Sequence, residues 1–140
     1  MLYLDTSLLV AALTNETRTA VVQQWLEDQD PEELAASDWV VGEFSSALSI
    51  KLRTGQIGPS DRADALAMFT SLCRDSLDIV EVSRSDFRLA ARLADRHQLG
   101  LRAADALHLA ICLGQGAALC TLDRRLSEAG SAVGVKTTLI

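Results

Sequence analysis

Short apolar runs alternate with longer amphipathic stretches from one end of the chain to the other. Leu2–Asp5 reads as a strand, with a short helix over Ser7–Leu13 close behind it. Helical spacing returns over Arg18–Gln29, and Leu34–Ser37 is a short strand after the break at Pro31. Asp38 is placed to cap a helix from Trp39 to about Arg53, which Gly55 stops. Ser60 caps a further helix to about Arg74, and Leu77–Val82 is a strand. Ser83 opens a helix to about His97, with Gly100 ending it. Arg102–Leu113 is helical and closes at Gly114. Ala117–Leu122 is a strand, Arg124–Glu128 a short helix and Val133–Thr138 a final strand. This alternation predicts one α/β domain over residues 1–140, with a mostly parallel sheet and right-handed crossovers.

Four carboxylates break that apolar pattern. Asp5 ends the first strand, in Leu4-Asp5-Thr6-Ser7, and Asp123 ends a later one, in Thr121-Leu122-Asp123. Open parallel sheets bind ligands outside the carboxyl ends of their strands, so both acids lie on the edge where chemistry is expected. Each also stands where an aspartate caps the following helix. Glu43 lies on the Trp39–Arg53 helix. At about 100° per residue, Val40, Ala47 and Ile50 fall beside it, with Trp39 and Phe44 beyond. Gly42, Ser45, Ser46, Ser49 and Arg53 form the polar arc elsewhere. Glu43 is therefore expected in the core-facing stripe, where a carboxylate requires a cationic partner, a proton, a metal or an escape to solvent. Asp105 sits in Ala103-Ala104-Asp105-Ala106-Leu107-His108-Leu109-Ala110, a helix apolar nearly all round and so expected to be central. His108 lies three residues beyond, on the same face; it reads as a hydrogen-bonded residue behind the site, with metal ligation the alternative.

One explanation covers all four acids: they meet. Clustered carboxylates repel unless a cation lies between them, and oxygen-only ligands select hard ions such as Mg²⁺ or Mn²⁺. Such an ion activates a water and holds a phosphate oxygen, so hydrolysis of a phosphodiester is the expected reaction class.

The ordered set of Leu4-Asp5-Thr6-Ser7, the Glu43 helix, Asp105-Ala106-Leu107-His108-Leu109-Ala110 and Thr121-Leu122-Asp123 resembles the PIN domain, specifically the VapC-type ribonucleases of toxin–antitoxin pairs. The resemblance spans essentially the whole chain. It implies an α/β/α sandwich with a five-stranded sheet of order 3-2-1-4-5. It also implies a Mg²⁺- or Mn²⁺-dependent endoribonuclease, frequent homodimers, and inhibition by a small DNA-binding antitoxin. On that resemblance Asp5, Glu43, Asp105 and Asp123 form the acidic, metal-binding and catalytic site. Ser7 matches the small polar position after the first acid, and Thr121 the hydroxyl position before the fourth. Arg102 and Arg124 flank acid positions and are candidates for contact with substrate phosphate or an antitoxin carboxylate. The rival reading is a PIN-like protein without catalysis that only binds a protein or RNA partner. Adhesion-type metal sites, aspartyl-nucleophile phosphatases and receiver domains fit less well. The first wants serine where Leu9 stands, the second an acid where Ser7 stands, and the third additional acids at the first strand.

Composition changes this picture in one respect. The chain carries a formal charge of −6 and a pI near 4.8, which taken alone argues against nucleic acid. Residues 14–38 hold seven acids and one base, a net −6 that equals the charge of the whole chain. The remainder balances at twelve of each sign, and setting aside the four site acids leaves it at +4. Eleven of the thirteen basic residues are arginine, suited to bidentate phosphate contacts. Arg84, Arg88, Arg92 and Arg96 recur every four residues as a stripe that reads either as a solvated face or as a track for RNA backbone. Val21, Val22 and Trp25, within the acidic segment, read as core or as a surface for the antitoxin. Three cysteines without a close pair, and no signal-like or membrane-spanning segment, suggest a cytoplasmic protein with reduced thiols and no membrane partner.

Overall fold

The computed structural model describes residues 1–140. Strand β1 (Leu2–Leu4) turns at Asp5 into helix α1 (Thr6–Leu13), and α2 (Thr19–Glu27) follows. A 3-10 turn at Pro31–Glu33 leads into β2 (Leu34–Ser37) and the long pair α3 (Asp38–Arg53) and α4 (Pro59–Asp75). Then come β3 (Asp78–Val80), α5 (Arg84–Ala94), a 3-10 turn at His97–Leu99 and α6 (Ala103–Gln115). The chain ends with β4 (Ala118–Thr121), α7 (Arg124–Ala132) and β5 (Thr137–Leu139). All strands pair in parallel, in the order β3-β2-β1-β4-β5, between layers of helices. Leu2 stands opposite Leu34 on one side of β1 and opposite Ala118 on the other. The chain builds outward from β1 through β2 to β3, then returns to the other side of β1 for β4 and β5. The strand order thus reverses between β1 and β4, and a crevice opens at such a reversal outside the carboxyl ends of the strands.

The central strands carry no polar alternation because helices cover both faces. Tyr3, Leu4, Leu119, Cys120 and Thr121 are all fully buried. Helix α6 explains its apolar sequence in the same way: Ala106 through Cys112 are buried without interruption. The accessible surface is 7664 Å², close to the roughly 7,000 Å² that area scaling gives for this mass. No helix is long and apolar enough to cross a membrane.

Several boundaries differ from the sequence reading for local chemical reasons. Helix α3 is capped by the Ser37 hydroxyl, which accepts from Val40 N, so Asp38 is its first helical residue and not its cap. Helix α4 starts at Pro59, whose fixed φ suits the first helical position, and not after Ser60. The carboxylate of Asp61 accepts from Gly58 N at 2.9 Å. Helix α6 runs through Gly114 and stops at Gly116, whose φ of +63° supplies the left-handed turn. Helix α5 ends at Ala94, so Arg84, Arg88 and Arg92 share that helix and Arg96 lies beyond it. All four arginines are exposed and none joins an ion pair. Nearby Asp86 is occupied instead as the α5 cap, accepting from Ser83 N and Ser83 Oγ. In α2, Val22 is buried and Trp25 half-buried, while Val21 is exposed.

Candidate active site

Asp5 leaves β1 at the reversal of strand order and caps α1. Its Oδ1 accepts from Leu8 N at 3.0 Å and from Ser7 Oγ at 2.8 Å. Its Oδ2 accepts from Thr121 Oγ1, at the end of the neighbouring β4, at 2.6 Å. The residue is only 3% exposed and has no cationic partner. Burial pushes its carboxyl above the ordinary aspartate range, and the Thr121, Leu8 and Ser7 hydrogen bonds recover part of that shift.

Thr121 also fixes the next acid. Its Oγ1 accepts from Asp123 N at 2.9 Å, while Ser7 Oγ accepts from Leu122 N at 3.2 Å. These bonds lock the β4–α7 turn against the β1–α1 turn. Asp123 then caps α7 through Oδ1, which accepts from Arg125 N and Leu126 N. Asp105 occupies the first turn of α6, and its Oδ2 accepts from Arg102 N at 3.3 Å. Asp105 and Asp123 line one small cavity of about 140 Å³ with Arg102, Arg125, Leu101 and Leu126.

Glu43 projects from α3. The core stripe of that helix is Val40, Phe44 and Leu48, and Glu43 lies at its edge with a side chain 23% exposed. Ile50, expected beside it in the stripe, is exposed, because a four-residue repeat drifts around the helix and leaves position 50 facing out. Glu43 Oε2 accepts from Thr6 Oγ1 and from His108 Nε2, the latter at 2.8 Å. Partial burial raises the Glu43 carboxyl, but the His108 and Thr6 bonds outweigh it and hold the group below its ordinary range. The indole N–H of Trp39, buried without a hydrogen bond of normal geometry, adds to that lowering.

Of the expected site residues, Asp105 and Asp123 share the cavity. Asp5 is joined to Asp123 through Thr121, and Glu43 is joined to the same edge through Thr6 and His108. His108 is 4% exposed and points a nitrogen at Glu43, so it stands behind the acids as a hydrogen-bonded residue. Arg124 is exposed and does not line the cavity; Arg125 does, and its Nη2 donates to Gly100 O at 3.4 Å.

The family model for the PIN domain matches residues 2–131. The chain belongs to the PIN-domain family, among the VapC proteins. The relative that places it there is Ribonuclease VapC47 of Mycobacterium tuberculosis, 30% identical over 140 residues, covering 98% of this chain and 95% of that protein. Among solved structures, M. tuberculosis VapC20, described as a sarcin-ricin loop cleaving toxin, superposes with a TM-score of 0.73 at 19% identity, covering 96% of each chain. VapBC2 from Rickettsia felis, bound to a DNA fragment from its promoter, gives a TM-score of 0.67 at 18% identity, covering 100% of this chain and 99% of that one.

The acids of this PIN domain do not close into a ready cage: no three His, Cys, Asp or Glu side chains converge closely enough to hold a metal ion. The donor set still suits a hard cation. Asp105 Oδ1, Asp123 Oδ2 and Glu43 Oε1 make no hydrogen bond, and Asp5 is a buried carboxylate with only neutral partners. Mg²⁺ keeps several waters and asks for only one or two direct carboxylates, so an open set of oxygens fits it better than a closed one. The sequence reading missed Thr6, Tyr3, Ser37 and Arg125. Only Thr6, adjacent to Asp5, carried a sequence signal. The others are recognisable only once distant elements are packed together.

Proposed function

We propose that this PIN domain is a Mg²⁺- or Mn²⁺-dependent endoribonuclease acting as the toxin of a toxin–antitoxin pair. The observation that carries the reading is the placing of four carboxylates from four elements along one edge of a parallel sheet at its reversal point: Thr121 joins Asp5 to Asp123, Asp105 lines a cavity with Asp123, and Thr6 and His108 hold Glu43. The name of the VapC47 relative supports the ribonuclease reading, and the VapBC assembly supports an antitoxin partner with a DNA-binding role. A homodimer belongs to the same proposal.

Asp5, Glu43, Asp105 and Asp123 would hold the metal, through the oxygens that no donor occupies and through Asp5. A bound divalent cation supplies an acidified water and charge stabilisation for the phosphate in flight. The chain supplies the positioning. Asp5 is held rigid by Leu8 N, Ser7 and Thr121, so its carboxylate needs no reorganisation when a ligand arrives. Arg102 and Arg125, beside Asp105 and Asp123, offer planar donors to the phosphate oxygens flanking the scissile bond.

The test is cleavage of tRNA and rRNA with and without Mg²⁺ by the wild type and by Asp105→Asn. Wild-type cleavage should require the metal, and Asp105→Asn should lose at least ~100-fold of it with the fold intact, the scale set by one preorganised charged group. Full activity in Asp105→Asn would sink the assignment.

A further inference from the structure

A second set of buried polar groups runs behind the acids, and its hydrogens admit only one direction. Ser37, at the end of β2, is fully buried. Its oxygen accepts from Val40 N at 3.4 Å, and its one other partner is the Tyr3 hydroxyl, 2.7 Å away. Tyr3, in β1, is also fully buried, and its phenol carries its hydrogen at neutral pH. Its hydroxyl lies 3.0 Å from His108 Nδ1 in α6. The other ring nitrogen, Nε2, lies 2.8 Å from Glu43 Oε2 in α3. Four elements therefore contribute to one line of contacts that ends on a site carboxylate.

An ionised carboxylate only accepts, so the hydrogen between His108 and Glu43 sits on Nε2. The Ser37 hydrogen has one acceptor within reach, the Tyr3 oxygen. Tyr3 must then give its own hydrogen to His108 Nδ1. Every group is satisfied in this direction. Reversed, with Nδ1 donating to Tyr3 and Tyr3 to Ser37, the Ser37 hydrogen is left buried without an acceptor. That arrangement carries the desolvation cost of an unpaired donor.

We infer that Ser37 and Tyr3 set the Nε2–H tautomer of His108, and that His108 so set positions Glu43, engaging Oε2 and leaving Oε1 bare for a cation. This rests on the metal-dependent reading above. It makes Ser37, Tyr3 and His108 positioning residues, none of which touches substrate. Thr6, donating to the same Oε2, completes the orientation from α1. Groups in this second layer commonly tune metal affinity by about 10–100-fold.

The experiment has two readouts on the intact protein. The first is the nitrogen-15 spectrum of the histidine rings, with exposed His97 as the reference signal. The wild type should show a hydrogen on His108 Nε2 and a bare, hydrogen-bonded Nδ1, and Tyr3→Phe should lose that single tautomer. A hydrogen on Nδ1 in the wild type overturns the inference. The second is Mn²⁺ affinity by calorimetry in the wild type, His108→Leu and His108→Gln. Leucine should weaken binding about 10–100-fold, and glutamine, whose amide nitrogen reaches where Nε2 stood, should restore most of it. Equal Mn²⁺ affinity in all three overturns the positioning role, whatever their melting temperatures. A wild type that binds no Mn²⁺ defeats the metal reading and the purpose of the positioning together, while the ring spectrum still decides the tautomer.

Discussion

Asp5 serves two demands that oppose each other in energy. As a cap it satisfies Leu8 N and steadies α1; as a carboxyl group 3% exposed it has no cationic partner to offset the cost of its charge. Its raised folded-state pKa means the folded chain holds that proton more tightly than the unfolded chain. The Asp5 contribution to stability is therefore greatest at low pH and falls as pH rises from the ordinary aspartate value through the raised one. Asp5→Asn removes this pH dependence, so in EDTA the melting temperature of the wild type should fall relative to that of the variant as pH rises, and the variant should have lost RNA cleavage. Thermal melts in EDTA across pH check this, and a difference independent of pH would contradict it. The pattern of sequence told of Asp5, because a strand ending in aspartate before a helix is visible without a structure. The same pattern hid its coupling to Thr121, which lies 116 residues away. Burial also sorts the thiols: Cys112 and Cys120 are buried, and the Cys120 thiol is pushed up to about 11, so neither is a reactive group at neutral pH.

At the scale of elements, α7 is held against the sheet by a close approach at Gly130. A Cβ there would stand 2.7 Å from Thr137 Cγ2 and 3.0 Å from Leu109 Cδ2. Gly130→Ala should therefore destabilise by about 1–3 kcal/mol through overpacking, measured by urea denaturation. Gly116→Ala meets open space but a φ of +63°, and should cost about 1 kcal/mol through backbone conformation alone. Helix α5 presents Arg84, Arg88 and Arg92 free of ion pairs, because Asp86 is consumed by the cap at Ser83. If that face tracks RNA backbone, Arg88→Glu with Arg92→Glu should weaken RNA binding and flatten its dependence on salt. Unchanged binding in a salt titration would leave the stripe a solvated face. The succession of helices and strands along the chain and the buried character of α6 were readable from periodicity, while the strand order of the sheet came from the resemblance to the PIN domain. The ends were not, since Ser37 competes for capping with Asp38, Gly58 with Ser60 and Gly116 with Gly114, and packing decides among them.

At the scale of the molecule, the acids share one edge of the sheet because the strand order reverses between β1 and β4. That puts the turns after two adjacent strands side by side, with α6 and α3 bringing Asp105 and Glu43 to the same edge. A cation bound there would stabilise only the folded state. Addition of Mn²⁺ is expected to raise the melting temperature of the wild type in proportion to the logarithm of its concentration, and EDTA to reverse the rise. No shift at millimolar Mn²⁺ would count against metal binding. Sequence alone determined the α/β class, the order of elements and the four acids that sit against the apolar grain of the chain. It could do so because periodicity and a misplaced charge are properties of neighbouring residues. Only the tertiary structure decided that Thr121 ties Asp5 to Asp123, that Arg125 and not Arg124 lines the cavity, and that Ser37 and Tyr3 stand behind His108. Each of these joins residues far apart in the chain, and a contact of that kind exists only once the sheet and its helices have packed.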